Sequence, residues 1–322
     1  MWHRLKPAFA LLLLAPLIAE YLLGSLSFGQ LGLFPLMVPM YGGGALLVRE
    51  LARRYGRGWP TIFALGLAYA VIEEGLATQS LFNPHYLGLH LLRYGFIPAL
   101  GIAGPWTVYV VVLHMAWSIA VPIGLVEMLF PRQRHAPWLG RAGLGVTAVM
   151  YVLGAGLIAL GTWKKEQFAA SETQLLVAAA VALAAAAGAF AFFRRHVAEE
   201  ASTPSATWPP WVLGVVAFGA GSLFHLLSQL GGAVFPAALN VTGLLLLPAA
   251  VMLAVRTACK SGGRSVAGTD ALVLGGVLVY GWLGFFMAAR LHGAGAIPGQ
   301  FFPCLIVLAL VFVRWVRRRQ PG

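Results

Sequence analysis

An all-α polytopic transmembrane helical bundle, about ten transmembrane helices in number, is the fold class this chain predicts. Two compositional facts and one pattern carry that prediction. Of 322 residues, 60% are hydrophobic and 10% are charged, against roughly 45–50% and about 25% in soluble domains. The basic residues stand in short clusters between long apolar runs, the distribution that orients polytopic proteins. This composition excludes a soluble globular enzyme and a disordered chain. It also excludes a nucleic-acid-binding module, despite a formal net charge of +12. Two cysteines, Cys259 and Cys304, are too few for a disulfide scaffold and read as unpaired thiols.

A membrane-crossing helix takes about 20 mostly apolar residues. Ten such runs occur, at 8–28, 31–48, 59–80, 106–130, 142–162, 173–193, 211–230, 234–254, 271–289 and 296–315. The first follows His3, Arg4 and Lys6, as a signal peptide would. It has no small-residue cleavage site and runs on to Phe28, so it reads as an uncleaved span. With both termini cytoplasmic, 18 of the 22 lysines and arginines fall inside, and Arg93, Lys164, Lys165 and Arg290 fall outside. The inside set takes in Arg49, Arg53, Arg54, Arg57, Arg132, Arg134, Arg141, Arg194, Arg195, Lys260 and Arg264. Adding or removing one span would reverse every later connection and destroy the asymmetry. The expectation is therefore one integral membrane domain over 1–322, multi-pass in the cell inner membrane, with both termini cytoplasmic.

Outer turns are expected at Gly29–Gln30 and Gly231–Gly232–Ala233, and a polar inner loop from Glu199 to Pro210. The second span is odd: Pro35 and Pro39 precede Gly42-Gly43-Gly44, which predicts a kinked or discontinuous helix. The alanine-rich stretch Ala178–Ala191 predicts a smooth sixth span that packs closely. Between the third and fourth spans, residues 81–105 mix Tyr86, Leu87, Leu89, Leu91 and Phe96 with His85, His90 and Arg93. That pattern predicts an interfacial helix or lid on the outer leaflet, or else an irregular packed loop.

Charges in hydrocarbon cost at least about 2.5–3.5 kcal/mol each, so buried ones mark candidate sites. Glu50, Glu166, Glu172, Glu199, Glu200 and Asp270 sit near span ends and read as solvated or capping residues. Glu127, near an inner end, reads as reaching water. Glu20, Glu73 and Glu74 remain. Glu73 and Glu74 lie about 100° apart around a helix. Tyr69 and Thr78 stand four residues from Glu73 and Glu74, on the corresponding faces. Two carboxylates so close cannot easily both ionise without a compensating cation. At about 1.5 Å per residue, Glu20, Glu73, His114, His225 and Asn240 fall in one layer below the outer surface. Imidazole and carboxylate are zinc ligands, and zinc lowers the pKa of bound water toward about 7. A neighbouring glutamate then serves as general base.

Adjacent glutamates on one span, with histidines on later spans, resemble the CAAX-processing/bacteriocin-processing type of intramembrane metalloprotease. Glu73-Glu74 match that family's glutamate pair, although Thr78 stands at its arginine position. His114 matches its second histidine, with Val110 for phenylalanine, and His225 stands for the third, with Gln229 for asparagine. The resemblance implies that Glu73 and Glu74 are catalytic, with Glu73 activating water. It also implies that Glu74, His114 and His225 hold zinc or polarise a membrane-embedded substrate. The residues alone leave alternatives: a proton-coupled transporter with five plus five helices, a non-catalytic membrane scaffold, or hydrogen-bonding roles for His114, His225, Glu20 and Asn240 between helices. No phosphate-binding glycine loop occurs, so no nucleotide partner is expected beside the lipid bilayer.

Overall fold

The structure, a computed structural model, describes residues 2–192, 208–258 and 266–319. Arg194, Arg195, Glu199, Glu200, Cys259, Lys260 and Arg264 lie outside the described residues, as does most of the loop from Glu199 to Pro210. Among the described residues ten helices are long and apolar enough to cross a membrane. They are α1 Leu5–Leu22, α2 Phe28–Arg54, α3 Trp59–Ala77, α4 Gly104–Leu129, α5 Arg141–Glu166, α6 Glu172–Ala191, α7 Pro210–Val234, α8 Ala237–Val255, α9 Val266–His292 and α10 Ala294–Val316. The expected all-α bundle is the fold found.

Burial separates inner from outer helices. In α1, α3 and α4, 61–72% of the apolar window is buried, against 11–17% in α5, α6, α8 and α10. The outer helices present Val146, Leu183, Leu246 and Phe312 to their surroundings, as a surface solvated by lipid tails permits. α3 packs on α6 and α4, α2 on α1 and α5, and α9 on α7, α4 and α10. α8 lies against α7 and the first part of α4, Gly104–Leu113. The contacts of α3 with α6 and of α2 with α5 have no comparable counterpart between α8 and α1 or α7 and α10. That arrangement gives no support to two inverted repeats of five.

Four inner helices depart from α geometry where they meet. Leu17–Leu22 in α1, Val38–Gly42 in α2, Ile72–Ala77 in α3 and His114–Ala120 in α4 are π-helical. In α2 the cause is visible. Pro39 has no N–H to give the carbonyl of Pro35, and the next turn re-registers so that the Gly43 N–H bonds the Val38 carbonyl. The helix is thus continuous, with a π segment where a break was one expectation. Gly42 and Gly44 explain the glycine run. A Cβ on Gly42 would strike the backbone of Leu12 in α1, and one on Gly44 would strike the Tyr69 ring of α3.

Several boundaries differ from the expected ones: α1 ends at Leu22 rather than 28, and the expected turn site Gly29–Gln30 lies in the 3₁₀ segment Phe28–Leu33 that opens α2. α2 continues past residue 48 through Arg54, because the charges there are buried and paired and the helix supplies their backbone hydrogen bonds. α7 runs through the Gly231–Gly232–Ala233 site of the expected turn. The chain reverses instead at Phe235, extended at φ −124° and ψ 148°, as a residue before proline prefers. Residues 81–105 form no interfacial helix. They make one 3₁₀ turn, Tyr86–Gly88, and a two-residue antiparallel pair, β1 Phe96–Ile97 with β2 Ile102–Ala103. Leu87 and His90 hold positive φ there, which breaks helical periodicity. Leu87, Leu89, Phe96 and Leu100 are exposed.

Gly42→Ala is expected to destabilise the protein by about 1–3 kcal/mol through overpacking. Gly156→Ala, at a helical glycine with open space around it, is expected to be neutral or slightly stabilising. Thermal unfolding midpoints of both variants in one detergent check the contrast.

Candidate functional site

The π segment of α3 turns both carboxylates of Glu73 and Glu74 inward, where they are 1% and 6% exposed. His114 opens the π segment of α4 and is equally buried. Its Nε2 lies 2.8 Å from Glu74 Oε1, and its Nδ1 lies 3.0 Å from Glu73 Oε2 and 2.9 Å from Ser118 Oγ. Each of the three residues offers one ligand atom, and those atoms all lie within 4.8 Å of one another. The other Glu74 oxygen accepts from Thr78 Oγ1 at 3.1 Å and from Ser80 Oγ. Ser80 in turn accepts from the Trp106 indole at 3.3 Å. Thr78, at the arginine position of the family pattern, thus orients Glu74 as a neutral donor.

Glu73 is held differently. Its Oε2 is buried with His114 Nδ1 at 3.0 Å, and the hydroxyls of Tyr69 and Tyr151 are buried as well. Both phenols lie close enough to Glu73 to feel its charge. The rings of Tyr41 and Tyr69 stand 6.2 and 6.4 Å from the His114 ring. α1 adds Glu20, within electrostatic reach of Glu73 and His114 and hydrogen-bonded by Ser25 Oγ at 2.5 Å. Tyr86 reaches in from the segment between α3 and α4. Burial and then the Glu74 charge raise its phenol above the ordinary value. Glu166 Oε2 accepts from Leu87 N–H at 3.0 Å and Asn83 Nδ2 at 3.4 Å, which fastens this segment to α5.

The structure brings Glu73, Glu74, His114 and Glu20 together and leaves His225 out. His225 Nδ1 lies 3.1 Å from the Tyr109 hydroxyl, and Tyr109, Trp117, Phe224 and Tyr280 enclose the ring. Among the described residues it joins no cluster of ligand atoms, so the structure places it apart from Glu73, Glu74 and His114, where the resemblance had it as a metal ligand. An aromatic jacket holds it as a packing residue, with its Nε2 unpartnered. Asn240 likewise makes a helix-to-helix bond, from Nδ2 to the Leu227 carbonyl at 2.8 Å.

A second buried charge cluster was read from the sequence as solvated. Arg49, Glu50 and Glu127 are wholly buried, and Arg53, Arg134 and Asp270 nearly so. Glu127 accepts from Arg49 Nε at 3.2 Å and from Arg53 Nε and Nη2 at 2.8 and 2.7 Å. Arg49 also pairs with Glu50 at 2.7 Å and lies 3.5 Å over the Trp138 ring. Glu50 accepts the N–H groups of Trp138 and Leu139, and Arg134 pairs with Asp270. The cluster ties α2, α4 and α9 to the connection before α5. Its sequence signal was the spacing Arg49-Glu50-x-x-Arg53-Arg54, one helical turn of mixed charge, but nothing local said that it was buried. The expectation that Glu50, Glu127 and Asp270 are solvated is therefore corrected.

Glu127→Gln leaves two guanidinium groups without their shared carboxylate and is expected to cost about 3–5 kcal/mol. Glu172→Gln, at an exposed site, is expected to cost under about 0.5 kcal/mol. Differential scanning fluorimetry of the purified variants checks both.

No curated protein and no solved structure matches the chain. A family model does match, over residues 9–316. With ten apolar spans behind it, the chain belongs to the family that this model describes, an uncharacterized membrane protein family.

Proposed function

We propose that Glu73, Glu74 and His114 form a divalent-metal centre, with zinc the candidate ion, in an intramembrane hydrolase acting on a peptide or lipid-like bond. One observation carries the reading: three buried ligand-type side chains on two helices converge so that their ligand atoms lie within 4.8 Å of one another. Ligands at about 2.0–2.2 Å around one ion stand no more than about 4.4 Å apart, so modest carboxylate rotation closes the set. Three protein ligands leave a position open, as catalytic zinc sites do. When bound, such an ion activates water and polarises a carbonyl or phosphoryl oxygen. Glu20, on the neighbouring helix, is placed to take the proton from water. The buried Tyr69 and Tyr151 hydroxyls are donors for charge developing on the substrate. This reading keeps the ligand roles that the resemblance implies for Glu74 and His114, makes Glu73 a ligand where the resemblance has it activate water, and leaves His225 out. The charge asymmetry of the connections favours an inner-membrane setting with both termini cytoplasmic and the centre toward the outer face.

A second reading rests on a different detail. Both imidazole nitrogens of His114 face a carboxylate, the geometry of a proton-holding triad in a transporter.

Metal content separates the two. The wild-type protein, purified in mild detergent with trace zinc and desalted, is expected to retain about one ion per chain by plasma mass spectrometry. Glu74→Gln and His114→Ala are expected to lower this at least tenfold, while Glu20→Gln and His225→Ala keep it. A metal-free wild type that still binds a proton at the triad sinks the hydrolase and leaves the second reading.

A further inference from the structure

Away from the metal centre, the membrane face at which α3, α7 and α9 begin holds a cavity of about 870 Å³. Its wall is hydrocarbon from five helices, among them Phe63, Met115, Trp117, Ala220, Val251 and Leu272. The cavity has a local cause. α8 lies against α4 only along the first part of that helix, and Pro248, inside α8, lines the cavity. Proline there removes a helical hydrogen bond and bends the helix, so the half of α8 beyond it leaves α4. Met252 and Leu253 line the cavity and are more than half exposed, so the cleft is open along α8.

Size and charge narrow the occupant. On α7 the lining runs from Leu213 to Phe224, about 16 Å at 1.5 Å per residue. That is close to one leaflet of a hydrocarbon core about 30 Å thick. At roughly 30 Å³ for each methylene-sized group, the share of one water in the liquid, the volume holds on the order of thirty, or two acyl chains. The end of the cleft at Trp59 and Thr269 adjoins the buried arginine cluster. The Arg53 guanidinium stands 5.6 Å from the Trp59 ring, and Arg134 pairs with Asp270, next to Thr269. In that cluster Arg49, Arg53, Arg54, Arg57 and Arg134 outnumber Glu50, Glu127 and Asp270, and they stand behind the cleft's end without lining it.

We infer that this cleft is a binding site for an anionic diacyl phospholipid, its chains along α4, α7 and α8 and its phosphate at the arginine end. Buried hydrocarbon supplies the fit to chains of leaflet length, and the arginine surplus selects the anionic headgroup. The site stands independently of the metal centre, since none of Glu73, Glu74 and His114 lines it.

The test uses the full chain in phosphatidylcholine nanodiscs. Phosphatidylglycerol bearing a photoactivatable diazirine in mid-chain is titrated in and cross-links are mapped by mass spectrometry. Labelling at Met115 and Val251 is expected to saturate, at least fivefold above that at Leu183, which faces outward on α6. Ala220→Phe and Val251→Trp, each filling the cleft, are expected to lower Met115 labelling at least threefold in protein that elutes as the wild type does. Labelling that rises without saturation and equals that at Leu183 overturns the site. Equal saturation by a phosphatidylcholine probe overturns the anionic headgroup.

Discussion

Charge placed in hydrocarbon is the constraint around which this bundle is organised. A lone carboxylate or guanidinium in a span costs several kcal/mol, and the cost falls only when partners surround it. The chain meets the constraint twice. At one level of the bundle Glu20, Glu73, Glu74 and His114 share one enclosure among tyrosines and hydroxyl donors. At the opposite level Arg49, Arg53, Glu50 and Glu127 neutralise one another and pin the α4–α5 connection to α2. The helices that carry these groups, α1 to α4, form most of the buried interior, while α5 to α8 and α10 are largely lipid-facing.

The two clusters solve the same problem in opposite ways, and the difference bears on function. In the arginine cluster the Glu50 and Glu127 carboxylates are met by guanidinium or backbone N–H donors, which is how a structural ion network looks. At the glutamate–histidine cluster two carboxylates converge on one imidazole, and among the described residues no guanidinium pairs with either. Two acids on one imidazole are costly in a bilayer, and such a charge imbalance suits the binding of a cation. The π segments belong to the same account. A wider turn frees backbone groups and re-aims side chains, and such bulges gather at functional sites. Here four of them converge on one enclosure.

How much of this was legible beforehand varied with range. Length, hydropathy and charge asymmetry are local or additive quantities, so the count of ten spans and the all-α class followed from them. The burial of Glu73 and Glu74 followed as well, because two adjacent acids in an apolar run have no nearby loop to escape to. His114 was reachable by depth along its helix. His225 shared that depth but not the direction, since equal depth on two helices says nothing about which faces turn toward each other. The arginine cluster was misread for the same reason: Glu50, Glu127 and Asp270 sit at span ends, where sequence alone favours water.

The sequence by itself determined what must be buried and at what height, because insertion cost depends on composition and distance along a helix. Only the tertiary structure decided which buried groups meet. Azimuth is set by helix packing, and here by the π turns that rotate Glu73, Glu74 and His114 onto one another and by the close approaches that Gly42 and Gly44 allow.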